Sequence, residues 1–134
     1  MNDKKILVVQ PYFKKSREFK EQLLNEGVSL VNAINLKCVF SLIIGIEKIN
    51  PKTYFMSGNT INLKEKVNEL RVNLIFINTN LSPIQQRNLE RSTNCKIIDR
   101  TGLILEIFGS RARSNEGKLS VLLAILRFQK SRLV

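Results

Sequence analysis

Five cationic side chains in the second half of the 134-residue sequence are the residues best suited to bind a polyanion. The planar guanidinium group of arginine can bind two phosphate oxygens at once. Two of the five lie four residues apart, which places them on one side of a predicted helix. The other three bracket a predicted turn between two helices. The five candidates are Arg87, Arg91, Arg111, Arg113 and Lys118.

Each of these cations also has a structural interpretation. Arg111 could pair with Glu116, with Gly117 supplying a backbone angle that the turn requires. Arg87 and Arg91 could simply form the solvated face of their helix. The sequence leaves both interpretations open, and only the positions of neighbouring side chains distinguish them.

A second candidate site combines the Ser57-Gly58-Asn59 stretch with Asp99. Asp99 follows a predicted strand, and the carboxyl ends of strands in open α/β sheets border ligand crevices. These residues are the candidates for binding a nucleotide. The alternative is that Asp99 and Thr101 cap the following helix and that Asp99 pairs with Arg100 or Arg111.

The sequence lacks the residues for acid–base catalysis by histidine, for a phosphate-binding P-loop and for a zinc site. The sequence has no histidine, so it lacks the usual acid–base catalyst near neutral pH. Residues 112–119 come nearest to a phosphate-binding P-loop, but they lack its first glycine and its hydroxyl residue. Cys38 and Cys95, without histidine, do not make an ordinary zinc site. We therefore expect no catalytic residue, no metal and no cofactor in this chain, no GTP hydrolysis by it, and two buried free thiols.

Composition and charge narrow the class of protein. The chain has 22 basic and 11 acidic residues, a net charge of +11, and 43% of its residues are hydrophobic. Charge of this size favours a polyanionic partner. The longest apolar runs fall short of the about 20 residues that cross a bilayer. We expect a cytoplasmic protein without a membrane span or a targeting segment.

The order of the predicted elements gives the fold class. Short β-branched runs alternate with helical patterns, which predicts one α/β domain over residues 1–134, a mostly parallel sheet of about four strands with helices on both faces. The predicted strands are 6–9, 39–46, 73–77 and 96–98. The predicted helices are 16–25, 29–37, 60–70, 83–91, 101–113 and a last one from 115 or 117 to 129. Gly27 is expected to end the first of them, in which Phe19 lies on the apolar face, and Ile61 and Val67 are expected to face inward from the third.

The last predicted helix carries two apolar stripes. Leu119, Leu122, Leu123 and Leu126 form one of them. Val121, Ala124, Ile125 and Phe128 form the other. We expect the first stripe to dock on the sheet, and the second to be at least partly exposed or covered by self-association.

Three sequence blocks resemble one protein family. Residues 99–126, DRTGLILEIFGSRARSNEGKLSVLLAIL, resemble the end of the N-terminal domain of HflX-type GTPases, which are ribosome-associated translational GTPases. Residues 81–90 are similar to a second block of that domain. Residues 50–59 are similar to a third, where the family usually reads Gly-x-Gly-Lys. Met56 and Asn59 replace the first glycine and the lysine here.

The resemblance implies a function and partners. It implies binding to the large ribosomal subunit or its rRNA, with the five cations as candidate contacts. It also implies that residues 115–134 lead to a helical hairpin and a GTPase domain that are absent from this chain, with GTP and Mg²⁺ bound there. The domain would then position and regulate the GTPase domain. Two alternatives stay open, an independent ATP-binding domain and a purely structural domain packed on the GTPase domain.

Overall fold

The computed structural model describes residues 5–16, 18–34, 36–112 and 127. Four strands alternate with four helices along this part of the chain. The elements are β1 (Lys5–Phe13), α1 (Lys20–Asn32), β2 (Lys37–Ile46), α2 (Ser57–Leu70), β3 (Leu74–Ile77), α3 (Pro83–Thr93), β4 (Lys96–Asp99) and α4 (Arg100–Ala112).

The four strands form one parallel sheet in the order β2-β1-β3-β4. β1 pairs with β2 on one side and with β3 on the other, and a bulge interrupts its pairing with β2 between Ile6 and Leu7. This confirms the expected α/β fold with a four-stranded parallel sheet. Because the chain crosses from β2 to β3 over β1, the strand order changes direction at β1.

The helices cover both faces of the sheet. Leu7 and Val9 of β1 belong to one core, which includes residues of α2 and α3. Ile6 and Val8 belong to the other, which includes residues of α1 and α4. All four of these β1 side chains are 0% exposed, as expected for a strand covered on both faces.

The first helix differs from its prediction. The structure has one helix, α1, in place of the two predicted over 16–25 and 29–37. Gly27, predicted to end a helix, is buried in the middle of α1. Ser16 lies before the helix, and its hydroxyl accepts a hydrogen bond from the Glu18 amide. Phe19 was predicted to face inward and is 75% exposed, because it is the N-cap residue of α1.

The second helix starts earlier than predicted. α2 begins at Ser57, and Ile61, predicted to face inward, is 60% exposed. Val67 is buried as predicted. The preceding loop is closed by two backbone hydrogen bonds between Asn50 and Tyr54.

The start of α3 was predicted correctly from Ser82 and Pro83. Ser82 caps it with its side chain, which accepts from the Gln85 amide, and the Gln85 side chain accepts from the Ser82 amide. Pro83 occupies the first helical position, where a missing N–H costs nothing. The predicted start at this residue is confirmed, and the helix continues two residues further than expected.

Some predictions fall on residues that the structure does not describe. The last helix and its two stripes lie outside the described residues, apart from Arg127. Arg113 and Lys118 also lie outside them. Cys38 is half-buried in β2, and Cys95 is buried just before β4, both as free thiols. Among the helices that the structure describes, none is long and apolar enough to cross a membrane.

Candidate functional site

α3 presents two of the predicted cations on its outer side. Its buried residues are Gln85, Leu89 and Thr93, spaced four apart along the side that packs inward. Arg87 and Arg91 therefore lie on the opposite side of the helix. Arg91 is exposed and Arg87 is half-buried.

A groove of about 500 Å³ runs between the start of α2, the 50–54 loop and the end of α3. Two lysines, Lys52 and Lys64, line it. Four hydroxyl side chains line it as well, those of Thr53, Ser57, Thr60 and Ser92. Thr53 and Thr60 donate their hydroxyl protons to backbone carbonyl oxygens, those of Phe55 (2.8 Å) and Met56 (3.3 Å). The hydroxyl groups of Ser57 and Ser92, beside the two ammonium groups, are donors suited to phosphate oxygens.

Hydrogen bonds from α3 hold the loop at this groove. The Asn88 side chain donates to the carbonyl oxygen of Lys52 (2.9 Å), and the Gln85 side chain donates to that of Asn50 (3.0 Å). Lys52 thus has a fixed backbone beside α3. Lys52 and Lys64 were not among the predicted contacts, although Lys52 lies within residues 50–59, one of the three blocks that resemble the family.

No acidic side chain is among the described residues that line this groove. Glu65 and Glu69 line a different groove, beside β2, where Glu69 pairs with Lys66 (3.5 Å). The Glu90 carboxylate accepts from the Ile97 amide (3.1 Å) and so faces β4. Among the described residues, no ion pair involves the cationic face, which we define as Lys52, Lys64, Arg87 and Arg91.

Arg111 lies elsewhere in the molecule. It is exposed in the last turn of α4, where a positive charge interacts favourably with the helix dipole. α4 packs on the sheet face opposite to α3, through Leu103 and Ile107. The structure therefore does not bring Arg111 together with Arg87 and Arg91.

The candidate nucleotide residues are also separated. Ser57, Gly58 and Asn59 form the first turn of α2. Ser57 lines the groove beside α3, whereas Asn59 lines the groove beside β2. Asp99 lines neither of these two grooves.

Asp99 has a structural role at the start of α4. Its side chain is 1% exposed, and its carboxylate accepts from the amides of Leu81 and Gly102, both at 3.0 Å. It thereby caps α4 and fixes the loop after β3. The Thr101 hydroxyl, predicted to cap the helix, instead donates to the side chain of Asn80 (2.8 Å).

The described loops do not form a phosphate-binding loop for GTP. A phosphate-binding loop after a strand needs glycines so that backbone amides can approach the phosphates. The loops that follow β1, β2 and β3 contain no glycine, and β4 leads directly into α4. Within the described residues no cluster of three His, Cys, Asp or Glu side chains could hold a metal ion.

The fold is that of a domain found in GTP-binding proteins. A GTP-binding protein from Sulfolobus solfataricus in complex with GDP superposes with a TM-score of 0.69 at 23% identity, over 95% of this chain and 38% of that one. The structure of SsGBP with GDP gives a TM-score of 0.74 at 22% identity, over 96% of this chain and 36% of that one. At these identities the likeness shows the fold alone.

Sequence comparison identifies the family. Residues 21–109 match the family described as GTP-binding GTPase N-terminal. GTPase HflX of Magnetococcus marinus is 42% identical over 132 residues, which cover 98% of this chain and 31% of that protein. GTPase HflX of Escherichia coli is 40% identical over 129 residues, 96% of this chain and 30% of that protein. The chain belongs to the family of N-terminal domains of HflX-type GTPases, and it spans less than a third of these relatives.

Proposed function

We propose that this domain binds RNA of the large ribosomal subunit through the cationic face and positions and regulates a GTPase domain in the same protein. The observation that carries the proposal is that Lys52 and Lys64 line one groove bordered by the end of α3, whose outer side carries Arg87 and Arg91. Among the described residues, none of these four cations has an ion pair. Cations left unpaired are available to displace counterions from phosphates.

The arrangement suits an RNA backbone better than a single small ligand. Arg87 and Arg91 lie outside the groove, on the outer side of α3, whereas the two lysines line it. Charges spread in this way can contact successive phosphates along a strand. Location in the cytoplasm, with the ribosomes, is part of the same proposal.

Arg111, in the last turn of α4, remains a predicted RNA contact, and so do Arg113 and Lys118, which lie outside the described residues. GTP and Mg²⁺ would be bound by the GTPase domain of the complete protein. Residues 115–134 would lead towards that domain through a helical hairpin, as the resemblance implies.

The proposal is tested by co-sedimentation of the 134-residue chain with purified large ribosomal subunits. We expect the double variant Arg87→Gln/Arg91→Gln to bind at least about tenfold more weakly, because each lost phosphate contact weakens binding and reduces its salt dependence. The matched control is Lys5→Gln/Lys37→Gln, which removes the same charge from exposed residues that start β1 and β2. We expect this control to bind within about twofold of the unchanged chain.

The outcomes separate the alternatives. Equal loss in both double variants would mean that total charge, and not this face, drives binding. Absence of binding at low salt would favour the purely structural domain that packs on a GTPase domain. A thermal shift produced by ATP in the free chain would favour the nucleotide-binding alternative.

A further inference from the structure

A second crevice, of about 260 Å³, opens at the carboxyl end of the sheet. It lies at the ends of β1 and β3. The chain leaves β1 towards β2 on one side of the sheet and leaves β3 towards β4 on the other side, so the two connections separate at this point. Crevices at this point of open α/β sheets are the usual place for ligands. The residues that line it include Gln10, Tyr12, Leu23, Tyr54, Asn78 and Arg100.

Buried amides form the base of this crevice. Gln10 and Asn78 are only 4% and 6% exposed. The Asn78 amide nitrogen donates to the Gln10 side chain (2.7 Å) and to the carbonyl oxygen of Leu23 in α1 (3.3 Å). The Asn78 side-chain oxygen accepts from a terminal nitrogen of Arg100 (3.0 Å). Asn78 therefore has its partners on three elements and holds the guanidinium group in a fixed position.

Arg100 is a half-buried cation facing neutral partners. Among the described residues its side chain has one hydrogen bond, to an amide, and no ion pair. A guanidinium group has several more N–H donors, arranged to bind both oxygens of a carboxylate or phosphate. The one acidic residue that lines the crevice among those described is Glu18, and it is exposed.

Aromatic side chains form the walls. Tyr54 is 4% exposed and has a φ of 68°, the left-handed region, which is uncommon for so bulky a residue. Such a conformation costs about 1–3 kcal/mol and is often found at ligand sites. The Tyr12 hydroxyl donates to the carbonyl oxygens of Ser16 and Glu18, so its ring is also held in place.

We propose that this crevice binds a small molecule through an oxyanion group, a phosphate or a carboxylate, which pairs with Arg100 while the body of the molecule packs against Tyr12 and Tyr54. The volume is below the about 300–1,000 Å³ of drug-sized sites, so a small metabolite fits and a dinucleotide does not. The site is distinct from the cationic face: it shares no lining residue with the groove of Lys52 and Lys64, and Arg87 and Arg91 lie on the outer side of α3.

The test is a nuclear magnetic resonance titration of the 134-residue chain, with arginine side chains labelled with ¹⁵N. Inorganic phosphate and acetate are added separately at constant ionic strength, with chloride as the reference. We expect a saturable shift of the Arg100 Nε–H signal with at least one of the two anions, and we expect the Arg87 and Arg91 signals to move with chloride and phosphate alike. The anion that saturates identifies which oxyanion group the site prefers.

Substitutions of Arg100 test whether its guanidinium group binds the anion. Arg100→Gln should abolish the saturable response, measured on the backbone amides of Asn78 and Thr79, and should leave ribosome binding unchanged. Arg100→Lys keeps the charge without the two-pronged geometry and should weaken anion binding about tenfold. The matched control Arg91→Gln should weaken ribosome binding and leave the anion response intact.

Three results would overturn the proposal. One is the absence of saturation with either anion, and another is equal shifts at Arg87, Arg91 and Arg100. The third applies if Arg100→Gln fails to fold: the proposal is then overturned if Arg100→Lys binds the anion as tightly as the unchanged chain. Because the two binding assays use different variants, failure of the anion site does not depend on failure of RNA binding.

Discussion

A Cβ atom on residue 27 would lie 3.0 Å from the side-chain nitrogen of Asn78, so glycine at this position lets α1 approach the end of β3 closely. Glycine within a helix costs about 1 kcal/mol relative to alanine. Here the cost is offset because Asn78 bonds to the carbonyl oxygen of Leu23, in the same helix. The contact also supports the side chain that positions Arg100.

Replacing Gly27 with alanine should therefore destabilise the domain, despite the gain in helix propensity. We expect a net loss of about 1–2 kcal/mol in the free energy of unfolding, because overpacking costs about 1–3 kcal/mol and Asn78 is held by three hydrogen bonds. Urea denaturation measures the change. In an Asn78→Ala background the same substitution should become neutral or stabilising.

The control for this experiment is Gly58→Ala. A Cβ at Gly58, in the first turn of α2, meets nothing within 4 Å. We expect a gain of about 0.5 kcal/mol from the lower entropy of the unfolded chain. If both alanine variants were equally stabilising, this would contradict the close packing of α1 against Asn78 at residue 27.

Removal of the Asp99 carboxylate should destabilise the domain strongly. Asp99→Ala leaves the buried amides of Leu81 and Gly102 without this acceptor, and each orphaned group costs about 1–3 kcal/mol. We expect a loss of about 2–4 kcal/mol for alanine and less for asparagine, which retains one acceptor oxygen. Thermal unfolding followed by circular dichroism measures both.

The exposed neighbour Thr101 provides the comparison. Its hydroxyl bonds to Asn80 on the surface, so Thr101→Ala should cost less than about 1 kcal/mol. A small effect of Asp99→Ala, equal to that of Thr101→Ala, would contradict the capping role and reopen a ligand-binding role for Asp99.

The two thiols should make stability fall at alkaline pH. Burial raises the pKa of both Cys38 and Cys95 above the ordinary value of a thiol. The unfolded chain then loses its thiol protons at lower pH than the folded chain, so the free energy of unfolding decreases as pH rises above the ordinary thiol pKa. Denaturation at a series of pH values should show a shallower decline in Cys95→Ala than in the unchanged chain.

Thiol reactivity checks the same point independently. In the folded protein both cysteines should react slowly with a thiol-specific reagent at neutral pH, because little thiolate is present. Cys95, which is buried, should be slower than the half-buried Cys38. Rapid labelling of Cys95 under native conditions would contradict this.

The salt dependence of RNA binding reports the number of phosphate contacts. For about six contacts on single-stranded RNA, at about 0.7 per contact, affinity should fall roughly 300-fold between about 50 and 200 mM salt. Removing Arg87 and Arg91 should lower the magnitude of the slope of log K against log salt by about 1.4 on single-stranded RNA, from about 0.7 per contact. An unchanged slope in the double variant would place these arginines outside the interface.

Local patterns in the sequence determined the four strands, the parallel sheet and the start of α3, although they divided α1 into two helices. Signals of this kind depend on neighbours in the chain: β-branched runs in the strands, and Ser82 with Pro83 at the helix start. The same patterns failed at Gly27 and Phe19. A glycine usually ends a helix, and only packing of α1 against Asn78, 51 residues away in the chain, explains why this one does not.

The candidate sites divide in the same way. Residue type alone singled out Arg87 and Arg91, since arginines four apart share a helix side whatever the fold. Tertiary structure added Lys52 and Lys64 at a groove bordered by the same helix, and it placed Arg111 on the opposite face of the sheet. It made Asp99 the cap of α4. It also joined Gln10, Asn78 and Arg100 at one crevice, because parallel strands bring their carboxyl ends to the same edge of the sheet however far apart they are in sequence.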